Sequence, residues 1–236
     1  MPVHPDMTAS LGWYPAARPA WERLWDSLRA RLGFGPDTLA WPEEFMPHWR
    51  DPGLVLSMTC ALPMRLGLGA HVSVVGAPVW DLPGLPPGTY ASHLVTRADD
   101  QRPLPEAAAA GLAVSTPDSQ SGRGVLREAG LAGPILLTGG HAASIRAVAE
   151  GRAHLAAIDA VTWALAPHPG LAIRATTPPT PSTPFITARA DWRAPVRAAL
   201  EAAIAAMPPE DRSATKLIGV TDHPASAYAP DPAAAL

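Results

Sequence analysis

Between Ser115 and Trp163 the chain uses one design twice, and this pair limits the folds open to it more than any other feature. An apolar run ends in a small polar loop, Ser119-Gln120-Ser121-Gly122 and then Gly139-Gly140-His141, and a helix-like segment follows at once. A strand that passes into a helix through short hydroxyl and glycine residues aims free backbone N–H groups outward at the helix start. Two such starts so close together predict a site for an anion.

The rest of the chain alternates in the same way. Residues 7–14 read as a first strand, and Pro19 sits where a helix can begin. Trp21, Leu24, Trp25, Leu28 and Leu32 recur at helical spacing, with Glu22, Arg23, Asp26 and Arg29 on the opposite face. Apolar runs at 54–59, 71–77, 89–97, 111–115, 134–138, 155–158, 171–176 and 184–189 predict buried strands. Residues 194–207 place Val196, Leu200, Ala203, Ile204 and Met207 on one helical face, closed by Pro208-Pro209. Strands alternating with helices at this spacing predict an α/β protein with mainly parallel sheets. Proline-rich links fall at 78–87 and 178–184, and the closing PDPAAAL reads as a frayed tail.

Composition removes several function classes. With 236 residues the chain can bury a substantial core as one large domain or two lobes, and its 47% hydrophobic share marks a globular protein. A net charge of -3 with 17% charged residues leaves no basic face for nucleic acid. Cys60 is the only cysteine, so there is no intrachain disulfide and no cysteine-rich zinc site. The eight histidines are scattered without metal-ligand spacing, and neither a phosphate-binding P-loop nor a dinucleotide fingerprint occurs. No cofactor and no metal are expected. Ser121, His141 and Asp159 can be written as a triad, but Ser119 and Arg123 stand where a nucleophile elbow needs its two glycines. The opening MPVHPDMTAS has no basic n-region and no apolar stretch, and no apolar run is long enough to span a membrane. As written, the chain reads as cytoplasmic.

Taken in order, several segments resemble the phosphate/phosphonate-type solute-binding proteins of ABC importers. These are LVLSMTCALP (54–63), the S-x-S-G loop (119–122), the GGH helix start (139–141), AAIDAVTW (156–163), PTPSTPFITA (179–188) and SAY (226–228). The resemblance implies the two-lobed type II periplasmic-binding fold, with two crossover strands near 90–97 and 184–190. One lobe would comprise residues 1–93 and 186–236, the other 94–185, with a ligand cleft between them and hinge closure on binding. It also implies a monomer serving an ABC permease, and a periplasmic location if an export signal lies upstream.

The same resemblance assigns ligand contacts. Ser119, Gln120, Ser121 and Gly122 match the family's phosphonate-binding loop, with Gln120 in place of the second hydroxyl. Hydroxyls donate to anion oxygens without adding charge, and Gly122 lets the backbone come close. A serine there also serves as a helix N-cap, and both roles are expected together. His141 matches a ligand-contacting histidine; a helix N-terminus favours its neutral ring, and a surface histidine is the plain alternative. Asp159 matches the acid that meets a ligand amino group, with helix capping as its competing role. Tyr14, Thr59 and Cys60 are expected from the opposite lobe, Cys60 as a small buried residue rather than a nucleophile. Trp13 is placed with Tyr14, Trp163 is expected to pack, and Thr180, Ser182 and Thr183 lie near the return crossover. Two other uses of the scaffold stay open here: a cytoplasmic dehydratase-like enzyme and a ligand sensor.

Overall fold

The computed structural model describes residues 7–223 and 225–229; the 230–236 tail and the first six residues of the N-terminal reading lie outside the described residues. The chain divides into two compact units, residues 1–89 with 181–236, and residues 90–180. The sequence reading sets these limits at 93/94 and 185/186.

The first unit begins with β1 (Thr8–Ala9), α1 (Arg18–Leu32), α2 (Phe45–Trp49), β2 (Leu54–Met58), α3 (Ala61–Arg65) and β3 (Ser73–Trp80), and β4 (Thr89–Tyr90) leads out of it. The second unit runs through β5 (Ser92–Arg97), α4 (Leu104–Ala110), β6 (Leu112–Val114), α5 (Val125–Glu128) and β7 (Ile135–Leu137). It continues with α6 (His141–Ala149), β8 (Leu155–Asp159), α7 (Ala160–Leu165) and β9 (Leu171–Thr176). The chain returns through β10 (Thr180–Pro181) to β11 (Phe185–Thr187), α8 (Arg193–Ala205), α9 (Pro209–Thr215) and β12 (Leu217–Thr221).

The α/β class stands, while the sheets are mixed rather than mainly parallel. In the first unit the strand order is β1-β2-β11-β3-β12, with β1 parallel to β2 and β11 antiparallel to both β2 and β3. In the second it is β7-β6-β8-β5-β9, with β6 parallel to β7 and β8, and β5 antiparallel to β8 and β9. The reason lies in the connections. Parallel neighbours need a crossover such as a helix, which α5 and α6 supply between β6, β7 and β8. β5 and β11 each arrive from the other unit without a helix to turn them, and each opposes both of its neighbours.

The predicted face of α1 is buried except at its end: Trp21, Leu24, Trp25 and Leu28 are each at most 2% exposed, while Leu32 is half-buried. Burial of each such side chain contributes about 1.5–3 kcal/mol. Both indole N–H groups are satisfied, Trp21 donating to the Tyr14 carbonyl and Trp25 to that of Pro36. Gly33 ends the helix at φ 77°, where a side chain would be strained. The strand expected over 7–14 shrinks to Thr8–Ala9. Its continuation bends away where the Gly12 amide donates to Ser10 Oγ at 3.3 Å.

One contact ties α8 to the first unit's sheet. The Arg197 guanidinium lies over Gly76 and donates to the carbonyls of Val75, Val220 and Thr221, while Nε donates to Glu201. A Cβ on residue 76 would stand 2.2 Å from Arg197 Nη1 and 2.8 Å from Val220 Cγ2. Gly76→Ala is therefore expected to cost about 1–3 kcal/mol, read as a lower urea midpoint; an unchanged midpoint would contradict this packing.

Candidate functional site

Three neighbouring parallel strands, β7-β6-β8, end on the same edge of the second unit's sheet. In such sheets the loops beyond the carboxyl ends are where ligands bind. Here the loop after β6 carries Ser115 to Gly122, the loop after β7 carries Thr138 to His141, and β8 ends at Asp159. Gly139 donates its amide to the Ser115 carbonyl at 2.8 Å, which extends the β6–β7 pairing into the loops.

The 119–122 loop opens into a wide turn over Gln120–Gly124 that continues as α5. Ser119 Oγ caps it by accepting the Gly122 amide at 2.9 Å. The Gly124 amide donates to the Ser119 carbonyl and that of Val125 to Gln120, the i to i−5 spacing of a π-helical turn. Small residues make this geometry feasible. A Cβ on Gly122 would lie 2.6 Å from Ser115 Oγ and 2.9 Å from Ser119 Oγ, so two serine hydroxyls crowd against one bare backbone position. Ser115 is 4% exposed and its hydroxyl is buried without a hydrogen-bond partner. Such a group costs free energy unless something satisfies it.

His141 begins α6, and its side chain is 14% exposed. Its Nε2 lies 2.8 Å from Ser121 Oγ and 3.5 Å from Asp159 Oδ2. Burial pushes the imidazole pKa below its ordinary value, outweighing the Asp159 charge and the Ala157 carbonyl, which favour the cation. That shift favours the neutral ring. Asp159, 1% exposed, caps α7: Oδ1 accepts the Thr162 amide at 2.8 Å and Oδ2 the Thr162 hydroxyl at 2.5 Å. His93 on β5 also feels the Asp159 charge, yet burial holds its pKa down as well.

The cluster is not a hydrolase relay. In a relay the acid and the nucleophile meet opposite ring nitrogens, whereas Ser121 and Asp159 both face Nε2.

Ser119, Ser121, Gly122, His141 and Asp159 thus come together, with the capping roles of Ser119 and Asp159 present as well. Gln120 departs from the pattern, because its side chain folds back and donates to Glu128 Oε1 at 3.1 Å. Its carboxamide packs against Gly124. Tyr14, Thr59 and Cys60 belong to the first unit. Tyr14 is 3% exposed with its ring edge-on to Trp80, and Cys60 is likewise buried. The Thr59 hydroxyl is buried with no hydrogen-bond partner, as is that of Thr183. Ser182 is occupied structurally, its Oγ accepting from the Trp80 indole and its carbonyl from the Tyr228 hydroxyl. Trp163 packs against the core that includes Ile145, Val148 and Ile158. Sequence reasoning missed Ser115 and Thr162. The signals were a serine closing an apolar strand and a threonine three residues after a capping aspartate. Among the described residues no group of three His, Cys, Asp or Glu side chains is placed to hold a metal.

The site's histidines set a pH dependence. Both His141 and His93 have folded pKa values below the ordinary 6.5. As pH falls through that value the unfolded chain takes up protons first, so stability is full above it and declines below. The thermal midpoint should therefore drop between about pH 7.5 and about pH 5.5, and His141→Asn should flatten the drop. A midpoint that rises on acidification would refute the neutral, buried ring.

With this geometry in view, comparison with known proteins is informative. No curated protein sequence matches the chain. Among solved structures it is similar to PhnD1 of Prochlorococcus marinus in complex with methylphosphonate, at 14% identity, 94% and 93% coverage of the two chains and a TM-score of 0.66. It is also similar to a binding-protein component of an ABC phosphonate transporter from Pseudomonas aeruginosa, at 14% identity, 94% and 84% coverage and a TM-score of 0.69. A Xanthomonas citri protein bound to chloride ion gives 14% identity, 94% and 92% coverage and a TM-score of 0.69. At such identity these likenesses establish the fold, the periplasmic-binding type. Family membership comes from the sequence itself: the model for the periplasmic substrate-binding protein of the phosphonate ABC transporter matches residues 73–226, well over half of the chain and the whole of the 90–180 unit. The chain belongs to the phosphonate family of ABC-transporter periplasmic substrate-binding proteins.

Proposed function

We propose that this chain captures a small phosphonate- or phosphate-like oxyanion on its 90–180 unit and delivers it to an ABC permease, working in the periplasm as its family does. The observation that carries this reading is the convergence of Ser119, Ser121 and His141 at the ends of three parallel strands, beside the bare backbone of Gly122. The donors are uncharged. Hydroxyl and amide hydrogens at a helix start hold an anion while keeping release feasible. Ser115, with its buried unsatisfied hydroxyl, extends the donor set. Gln120 contributes through its backbone, since its side chain is engaged with Glu128. Tyr14, Thr59 and Cys60 remain proposed contacts, and among them the buried, unpartnered Thr59 hydroxyl is the best suited to a ligand oxygen. No helix among the described residues is long and apolar enough to cross a membrane.

Methylphosphonate at about 100 times its dissociation constant should stabilise the protein by about 2.7 kcal/mol in thermal denaturation. A hydrogen bond to a charged group contributes about 1.5–3 kcal/mol, so Ser121→Ala should weaken binding by a factor of about 10 to 100. Stabilisation by dicarboxylates alone, or unchanged affinity in Ser121→Ala and Ser119→Ala, would remove the assignment.

A further inference from the structure

The acid of this site is placed to act through its neighbour. Asp159 is 1% exposed, both of its oxygens accept from Thr162, and its remaining close partner is His141. The imidazole has two places for its single hydrogen. Nδ1 is buried and forms no hydrogen bond of ordinary geometry, so a hydrogen there gains less than one on Nε2, although the Ala157 carbonyl also acts on the ring. Nε2 faces Ser121 Oγ at 2.8 Å, with Asp159 Oδ2 behind at 3.5 Å. A carboxylate on that side draws the hydrogen to Nε2 and repels a lone pair there. Ser121 Oγ then accepts from His141, and its own hydrogen is free to point to a ligand. Ser119 is in the same condition, since its oxygen already accepts the Gly122 amide. Both serines are acceptors inward and donors outward.

We propose that Asp159 is a positioning residue: it holds the His141 hydrogen on Nε2, turns the Ser121 hydroxyl outward as a donor, and so makes the site select the fully ionised form of its oxyanion. This rests on the oxyanion reading given above. A hydrogen kept on a phosphorus-bound oxygen competes for positions that Ser119 and Ser121 fill best as donors, since each oxygen already accepts one hydrogen bond from the protein and His141 presents no lone pair at Nε2. Asp159 itself is spent on Thr162 and His141, which also leaves it ill suited to an ammonium group. The titratable groups facing one another are His141 from α6, Asp159 from the β8–α7 junction and His93 from β5. Burial lowers both imidazole pKa values, so the ligand's own last ionisation dominates the pH response above them.

The test uses the full chain with methylphosphonate as probe. In 15N spectra of the ligand-free, histidine-labelled protein, His141 should carry its hydrogen on Nε2. Asparagine caps helices as well as aspartate does, so Asp159→Asn should fold while moving the hydrogen to Nδ1. Calorimetry should show affinity rising about tenfold per pH unit up to the ligand's second ionisation and level above it. Asp159→Asn should weaken binding about tenfold or more above that point. The same change made in a Ser121→Ala background should have little further effect, because the aspartate acts through that hydroxyl. The wild-type spectrum and pH profile need no variant to fold. Hydrogen on Nδ1 in the wild type, or binding indifferent to the ligand's protonation, would overturn the inference while leaving the oxyanion site in place. Absence of methylphosphonate binding at every pH would instead defeat the oxyanion reading.

Discussion

The site depends on one buried contact, the approach of His141 Nε2 to Ser121 Oγ at 2.8 Å with Asp159 Oδ2 at 3.5 Å. It joins residues from three separate loops, and those loops meet only because β7, β6 and β8 are adjacent and parallel. A parallel sheet gathers the carboxyl ends of its strands on one edge, and each crossover helix starts from that edge with amides pointing away from the strand. The two small loops after β6 and β7 are short because they need only turn the chain from strand to helix. Their serines, glycines and histidine therefore lie where the proposed oxyanion would meet backbone N–H groups.

Neutrality is the second physical theme. The chain carries a net charge of -3, and the cluster of Ser115, Ser119, Ser121 and His141 adds no positive charge to offset it. Such a site works by direction rather than by long-range attraction. Its donors are fixed by capping, by the π-turn and by the histidine, so little ordering remains for a ligand to impose. Gly122 is where this preorganisation is tightest, because any side chain there would strike Ser115 and Ser119.

Much of this was legible in the sequence. Apolar runs mark strands, and 171–176 is read to the residue as β9, but the burial expected at 134–138 and 171–176 fails because β7 and β9 are the edge strands of their sheet, where Ile135, Leu137 and Ile173 stay exposed. Strand direction is less accessible, since a buried apolar run looks alike in either sense; β5 and β11 oppose their neighbours because of where the chain enters each sheet. α4 and α9 escaped notice because an alanine run and a short polar segment lack helical apolar periodicity. β12 escaped because Gly219 interrupts it. At the site, Ser119, Ser121, His141 and Asp159 could be picked out because each closes a strand or opens a helix. The direction of the Gln120 side chain could not, as it follows from the wide turn that brings Glu128 within reach. Of the two roles the sequence offers Asp159, the fold displays the helix cap, with both oxygens accepting from Thr162.

A crystal structure of the chain grown with methylphosphonate tests the central claim most directly. The account predicts phosphonate oxygens within hydrogen-bond distance of the Ser119 and Ser121 hydroxyls and of amides in the 119–122 turn, with His141 still holding Ser121 from behind. Density for the ligand elsewhere, with these hydroxyls bound only to protein atoms, would contradict it.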